Sequence, residues 1–227
     1  MAYLFYKINI LLISTIRLSK IPNLKTFETH KIQLKDNFIQ NVMNDLNKKN
    51  YYFLKKINKK YLMYNFPYSY LDEVDYSWGF EREYYINFLE DNFGKKIRDL
   101  FGGSNYRVEL VELFRTPMNS KNVNSRFHVD NDLPGSIKIM IYINDVDREN
   151  GPLTFKHKEK EIEITGKSGT VVFFNNTEVP HLGKPTLSRE RVAITFMMYP
   201  TIRKQIRYEK IKPIDALCKL NPFSSIS

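Results

Sequence analysis

The sequence predicts a mainly β fold with flanking helices, in which short antiparallel strands form a sandwich or barrel. Its second half is a series of short apolar segments separated by glycine, proline and asparagine. Its first half carries two longer segments in which apolar residues recur every three or four positions, the spacing of an amphipathic helix. At 227 residues, 42% of them hydrophobic, the chain is suited to one domain with a sizeable core.

The two helices are predicted at residues 35–49 and 81–101. The second should end at Gly102-Gly103, because glycine readily adopts the left-handed conformation that closes a helix. A short strand is predicted between them, at residues 51–57. The later strands are predicted at residues 106–114, 137–144, 153–155, 161–164, 170–174 and 192–199, with a polar loop for substrate contacts at 116–125.

His128 and Asp130 are the first candidates for a functional site. If residues 127–130 lie on a strand, the two-residue period places both side chains on one face and Val129 on the other. Two imidazoles and one carboxylate on one face of a metal, with the other positions open, are the ligand set of non-haem Fe(II) oxygenases. His181, which follows a predicted strand, would be the third ligand. The alternative is that the histidines are structural and hydrogen-bonded in a core.

Four elements of the C-terminal half carry a resemblance to a known family. They are His128-Val129-Asp130-Asn131, Tyr142-Ile143-Asn144, Val179-Pro180-His181 and Arg191-Val192-Ala193-Ile194-Thr195. Residues 128–199 resemble the double-stranded β-helix, or jelly-roll, core of the Fe(II)- and 2-oxoglutarate-dependent dioxygenases, and these four elements are similar to those of prolyl hydroxylases. Residues 141–153 are at least as similar to phytanoyl-CoA dioxygenase-like enzymes.

The resemblance implies an enzyme with Fe(II) held by His128, Asp130 and His181. It also implies 2-oxoglutarate as cosubstrate and dioxygen as oxidant, with decarboxylation of 2-oxoglutarate to succinate and hydroxylation of the substrate. The prolyl hydroxylase likeness favours an amino-acid or peptidyl substrate, and the phytanoyl-CoA dioxygenase likeness favours a small metabolite.

Arg191 is the candidate for the distal carboxylate of 2-oxoglutarate. It opens an apolar strand, where a charge is costly to bury without a partner, and guanidinium pairs with carboxylate through two hydrogen bonds. Strand parity places Thr195 on the same face. The alternatives are that Arg191 pairs with Glu190 or Glu178 and that Arg189 takes the anion.

Tyr142 matches the position at which prolyl hydroxylases use a tyrosine hydroxyl on the cosubstrate. The alternative is a core tyrosine with its hydroxyl bonded to the backbone.

The net charge of +10 raises the question of nucleic acid. Residues 48–64 mix lysines with aromatic residues and contain no acidic residue, a composition that can bind single strands, although a solvated face is the preferred interpretation. A nucleic-acid demethylase of the AlkB type would have a further arginine six residues after Arg191, where this chain has Met197. The last alternative is a jelly-roll binding module without catalysis.

The single cysteine, Cys218, excludes an intramolecular disulfide and is consistent with a reducing, cytoplasmic setting. Residues 1–18 are apolar apart from Lys7 and Arg17, but their uncharged run, residues 8–16, is too short for a transmembrane span. We therefore expect a buried strand or helix there, with a membrane-associated anchor as the alternative. The chain divides into a support region at 1–103, a catalytic core at 104–200 and a basic tail at 201–227. The oligomeric state is left open.

Overall fold

The computed structural model describes residues 24, 26–47, 75–77, 82–119, 126–130, 132 and 135–201. Among these residues, two helices lie in the first half of the chain, α1 at Asp36–Asn47 and α2 at Arg82–Leu100. The strands are β1 (Phe27–Lys31), β2 (Asp75–Ser77), β3 (Asn105–Thr116), β4 (Ile137–Tyr142), β5 (Leu153–His157), β6 (Lys160–Ile164), β7 (Thr170–Phe174), β8 (His181–Gly183) and β9 (Arg191–Thr201).

The strands form two antiparallel sheets. The larger has six strands in the order β1-β7-β4-β9-β3-β2, and the smaller has three in the order β6-β5-β8. The long strand β9 pairs with β3 on one side and β4 on the other, with Thr116 opposite Arg191 and Tyr142 opposite Ala193. The predicted jelly-roll architecture with flanking helices is confirmed.

Each central strand of the larger sheet contributes to two cores, because successive side chains point to opposite faces. On one face, Ile139 and Ile194 pack with residues of both helices, and we call this the helix-side core. On the other face, Tyr142 and Ala193 pack with residues of the smaller sheet, and we call this the inter-sheet core. The candidate site residues of β4 and β9 belong to this second face.

The helices lie where apolar periodicity predicts them, within two residues at each end. Helix α1 buries Phe38, Val42 and Leu46. Helix α2 ends before Gly102 and Gly103, whose φ angles are 63° and 79°, and the Gly103 amide donates to the Arg98 carbonyl at 2.8 Å. The glycine-terminated end is therefore confirmed.

Residues 127–130 do not form a strand, which was the condition for placing His128 and Asp130 on one face. Only His128 makes a ladder contact, an isolated antiparallel bridge to His181. A continued ladder would pair Asp130 with Val179, but the chain turns there, with the Val179 amide donating to the Asn175 carbonyl at 2.9 Å. The Asp130 amide instead donates to the Asn176 carbonyl at 2.8 Å. The turn before β8 thus prevents a longer ladder.

Several sequence predictions lie outside the described residues: the strand at 51–57, the apolar segment 1–18, the basic and aromatic segment 48–64, residues 120–125 of the polar loop, and the tail from residue 202. The division of the chain at residues 103 and 200 stays a prediction. In the part of the chain that the structure describes, no helix is long and apolar enough to cross a membrane.

Candidate active site

His128, Asp130 and His181 come together beside the inter-sheet core. Their potential ligand atoms all lie within 4.8 Å of one another. Asp130 Oδ1 is 3.7 Å from His128 Nε2, and Asp130 Oδ2 is 3.6 Å from His181 Nε2. The three side chains predicted to bind a metal are therefore adjacent, although they come from two segments about 50 residues apart.

The backbone brings the two histidines together. His128 and His181 exchange both main-chain hydrogen bonds, at 3.1 and 2.9 Å, and their rings lie 4.7 Å apart between centroids. Although residues 127–130 are not a strand, they are extended enough for His128 and Asp130 to point the same way. Val129 is 46% exposed, as expected of the residue between them.

Each imidazole is held through one ring nitrogen. His128 Nδ1 lies 3.1 Å from the Arg126 carbonyl oxygen, and His181 Nδ1 lies 2.9 Å from the Val179 carbonyl oxygen. A carbonyl only accepts, so each Nδ1 carries the hydrogen and each Nε2 keeps a lone pair. Backbone carbonyls orient metal-binding histidines in this way. Both histidines are hydrogen-bonded, as expected if they were structural residues. The bonds use Nδ1, however, and leave Nε2 for a metal.

Burial lowers the pKa of His181 to about 4, against the opposing effect of Asp130. The imidazole is therefore neutral at physiological pH, the state in which it can bind a metal. Burial by itself would raise the pKa of the Asp130 carboxyl, but Lys138, His181 and a hydrogen bond from Asn176 outweigh burial and hold it below its usual range. The donor set is thus the neutral imidazole of His181, the imidazole of His128 and the carboxylate of Asp130, ligand types that fit Fe(II).

Arg191 opens β9 and is 4% exposed. Its guanidinium donates to the Gly151 carbonyl and, at 3.3 Å, to the Thr116 hydroxyl, and lies 5.7 Å from the centroid of the Phe114 ring. The guanidinium is thus a buried cation beside Phe114 of the inter-sheet core. A carboxylate ligand would complement that charge.

Arg189 and Glu190, which enter the alternatives to Arg191 as the anion-binding residue, each form an ion pair. Arg189 pairs with Asp147, and both side chains are at least half exposed. Glu190 lies 3.4 Å from Arg115. Arg189 is therefore engaged at the surface, whereas Arg191 lies inside.

Thr195 lies two residues beyond Ala193 on the same face of β9, as strand parity predicts. The residue is 4% exposed, and its buried Oγ1 has no hydrogen-bond partner among the described residues. An unpartnered buried hydroxyl costs free energy, so such groups usually have a ligand or water as partner. Thr195 thus offers a buried hydroxyl on the same face of β9 as Arg191, and a role for either residue on 2-oxoglutarate stays a prediction.

Neither a protein-family model nor a curated protein matches the sequence. Solved structures do. HygX from Streptomyces hygroscopicus with nickel, 2-oxoglutarate and hygromycin B bound has a TM-score of 0.54 and 13% identity, covering 85% of this chain and 88% of HygX. The non-heme alpha ketoglutarate dependent carbocyclase SnoK from nogalamycin biosynthesis has a TM-score of 0.55 and 14% identity, over 76% and 78% of the two chains.

A prolyl hydroxylase from Trichoplax adhaerens, in complex with a peptide fragment of the hypoxia inducible factor oxygen degradation domain, is similar to the same extent. Its TM-score is 0.55 at 16% identity, over 84% of this chain and 92% of the hydroxylase. The protein has the double-stranded β-helix fold. At 13–16% identity these likenesses establish that fold and nothing finer.

Tyr142 lies inside the double-stranded β-helix and is fully buried. Its hydroxyl donates to the Ile164 carbonyl and accepts from the Leu153 amide, both at 2.9 Å. Burial raises the pKa of Tyr142 to about 12, with Arg191 opposing. The backbone therefore provides both hydrogen-bond partners of the hydroxyl, as expected of a core tyrosine. The hydroxyl could donate to a cosubstrate only if its hydrogen bond to the Ile164 carbonyl were broken. A role for Tyr142 on 2-oxoglutarate stays a prediction.

Sequence reasoning missed two residues that surround Asp130 in the double-stranded β-helix. Lys138 Nζ lies 2.6 Å from Asp130 Oδ2, and the Asn176 amide nitrogen lies 3.1 Å from the same oxygen. A signal for Lys138 existed, since it interrupts the apolar strand β4 with the same parity as Tyr142. Asn176 had none, because an asparagine after a strand is typical of an ordinary turn.

Proposed function

We propose that the protein is an Fe(II)- and 2-oxoglutarate-dependent dioxygenase that hydroxylates an amino-acid, peptidyl or small-metabolite substrate. The observation that carries this proposal is the convergence of His128, Asp130 and His181, with ligand atoms within 4.8 Å, in a double-stranded β-helix. No other arrangement of three His, Cys, Asp or Glu side chains suited to a metal ion exists in the described part of the chain.

In this proposal His128 Nε2, His181 Nε2 and Asp130 hold Fe(II), which together with 2-oxoglutarate and dioxygen supplies the oxidising chemistry that yields succinate and a hydroxylated product. The chain's own contribution is positioning. The carbonyls of Arg126 and Val179 keep each Nδ1 protonated, so each Nε2 is directed at the metal position.

Arg191 and Thr195 bind the distal carboxylate of 2-oxoglutarate. Arg191 is already held by Thr116 and Gly151, so little of its side-chain freedom is lost when the anion binds. Phe114 and Ala193 line the same core and exclude water, which strengthens a charge-assisted pair.

The substrate is the less specific part of the proposal. The similar structures hold hygromycin B in one case and a peptide fragment in another, so both kinds of substrate suit the fold. A small-molecule hydroxylase of the phytanoyl-CoA dioxygenase kind is the second candidate, supported by the sequence of residues 141–153.

Two further alternatives receive less support. For the AlkB type, Met197 is 8% exposed and offers no cation where a second arginine is needed. A binding module without catalysis provides no reason for two free Nε2 atoms beside a carboxylate or for the unpartnered Thr195 hydroxyl.

The test is succinate release from 2-oxoglutarate with Fe(II), measured across peptides, free amino acids and lipidic acids, with Asp130→Ala as the control. We expect Fe(II)-dependent succinate in wild type and none above background in the variant. Equal succinate from both proteins, or none from either across the panel, would overturn the proposal.

A further inference from the structure

We propose that Asn176 is a positioning residue for Asp130, which holds one carboxylate oxygen, Oδ2, so that the other, Oδ1, becomes the metal ligand. This inference rests on the metal site of the proposed function and deepens it. Asn176 lies in the turn before β8 and is fully buried. Its side chain forms hydrogen bonds with Ser136, Asp130 and Asp132 and with neither histidine of the site.

The two oxygens of Asp130 have different surroundings. Oδ2 accepts from Lys138 Nζ at 2.6 Å and from the Asn176 amide nitrogen at 3.1 Å. Oδ1 accepts no hydrogen bond from the residues that the structure describes, and it lies 3.7 Å from His128 Nε2. Oδ2 therefore already has two hydrogen-bond donors, whereas Oδ1 has none among the described residues and is left for a metal.

Asn176 contacts both the main chain and the side chain of Asp130. Its carbonyl accepts from the Asp130 amide at 2.8 Å, and its side-chain amide donates to the carboxylate. A metal site needs its ligands oriented before the ion arrives, and hydrogen bonds to ligating carboxylates provide this orientation. Asn176 thus fixes where Asp130 sits and how its carboxylate is rotated.

The orientation of the Asn176 amide is itself determined. The Ser136 hydroxyl donates to Asn176 Oδ1 at 2.9 Å, and Ser136 is also fully buried. On its other side the Asn176 nitrogen donates to Asp132 Oδ2 at 2.5 Å as well as to Asp130. Because both carboxylates only accept, the nitrogen has to face them and the oxygen has to face Ser136.

A substitution of Asn176 tests the orientation of Asp130 more cleanly than a substitution of Lys138. Removing Lys138 would free Asp130 to rotate, which weakens metal binding, but it would also remove a positive charge that repels the metal. The two effects oppose each other. Asn176 is neutral, so its loss changes mainly the orientation of the carboxylate.

The experiment is titration calorimetry of the full chain with Ni²⁺, a divalent probe that is stable in air, on wild type and Asn176→Ala. The matched control is Asn175→Ala, which removes a neighbouring asparagine that is 1% exposed and whose side chain bonds only Thr177 among the described residues. Melting temperatures without metal are recorded for all three proteins. Ser136→Ala is a milder variant that keeps Asn176 but releases its amide.

We expect Asn176→Ala to raise the Ni²⁺ Kd roughly 10–100-fold, the usual effect of losing a group that orients a ligand. Asn175→Ala should stay within about twofold at a comparable loss of melting temperature, and Ser136→Ala should raise the Kd about threefold or more. The Co²⁺ d–d absorption should also change in Asn176→Ala, because an unrestrained carboxylate can bind through both oxygens.

Two outcomes contradict the inference and differ from each other. If wild type binds Ni²⁺ and both Asn176→Ala and Ser136→Ala bind it within about twofold of wild type, Asn176 does not position Asp130, while the proposed function stands. If wild type does not bind Ni²⁺ at all, the metal site itself is wrong and both proposals fall. A misfolded Asn176→Ala leaves the decision to Ser136→Ala.

Discussion

Each of the three residues His128, Asp130 and His181 offers one ligand atom to the proposed metal site. Replacing any one of them by alanine should abolish Fe(II)-dependent turnover, because two remaining ligands do not hold a facial set. Asp130→Glu should fail as well, since the longer side chain moves the carboxylate away from the Lys138 and Asn176 donors. Succinate release and Ni²⁺ calorimetry measure the effect. Turnover within a few fold of wild type in all three alanine variants would refute the assignment.

The two arginines near the start of β9 should behave differently. Arg191→Ala loses a charge-assisted pair with a carboxylate in a buried pocket, which costs about 2–5 kcal/mol. The apparent requirement for 2-oxoglutarate should therefore rise roughly 30-fold or more, with Ni²⁺ binding nearly intact. Arg189→Ala is the matched control, because Arg189 pairs with Asp147 at the surface. A large cosubstrate defect in Arg189→Ala alone would show that the wrong arginine was chosen.

Thr195 allows a test of cosubstrate binding that does not remove a charge. Thr195→Val keeps the shape of the side chain and removes a buried hydroxyl that has no partner among the described residues. Without cosubstrate the variant should be as stable as wild type or more so, because an unsatisfied buried hydroxyl costs about 1–3 kcal/mol. The apparent KM for 2-oxoglutarate should rise about fivefold. A marked fall in melting temperature with an unchanged KM would mean that the hydroxyl has a structural partner instead.

At the level of elements, the turn before β5 connects the fold to the candidate cosubstrate pocket. Gly151 has φ = 69°, and a Cβ there would lie 2.2 Å from the Lys184 carbonyl oxygen. The Gly151 carbonyl also accepts a hydrogen bond from Arg191. The turn therefore needs glycine both for its conformation and for the close approach of the chain after β8.

Gly151→Ala should destabilise the protein by about 3 kcal/mol or more, since neither the left-handed conformation nor the backbone contact tolerates a methyl group. Gly103→Ala is the control: its φ is also positive, at 79°, but nothing lies within 4 Å of the added Cβ, so about 1 kcal/mol is expected. Urea denaturation measures both. The KM for 2-oxoglutarate should rise only in Gly151→Ala, and equal stability losses would show that the backbone contact with Lys184 is not limiting.

At the level of the whole molecule, the charge of +10 raises the question of polyanion binding, which the proposed function does not require. Electrostatic binding of single-stranded DNA would weaken steeply with added salt, and we expect no such binding. We also expect no succinate when methylated bases are offered as substrate. Electrophoretic mobility shifts at two salt concentrations and a demethylation assay measure these. A salt-dependent shift together with succinate on methylated bases would favour the AlkB-type alternative.

The sequence by itself determined the features that depend on local periodicity. Alternation along β9 placed Arg191 and Thr195 on one face of the strand. In the structure this is the face of Ala193, which packs in the inter-sheet core. The helices follow likewise from three-and-four spacing and a glycine end. The prediction that His128, Asp130 and His181 share one site also came from the sequence, since few residue types suit Fe(II), and the structure brings the three side chains together.

Only the tertiary structure decided which partner each polar group has. Residues 127–130 do not form the predicted strand because the turn at 175–179 ends the pairing after His128. The Tyr142 hydroxyl forms hydrogen bonds with the backbone of Ile164 and Leu153, which belong to two other strands. The contact between Asn176 and Asp130 joins residues 46 apart in the chain. Hydrogen bonds of this kind depend on distances between distant segments, which periodicity does not encode. The residues that surround the candidate metal site were therefore visible only in the folded molecule.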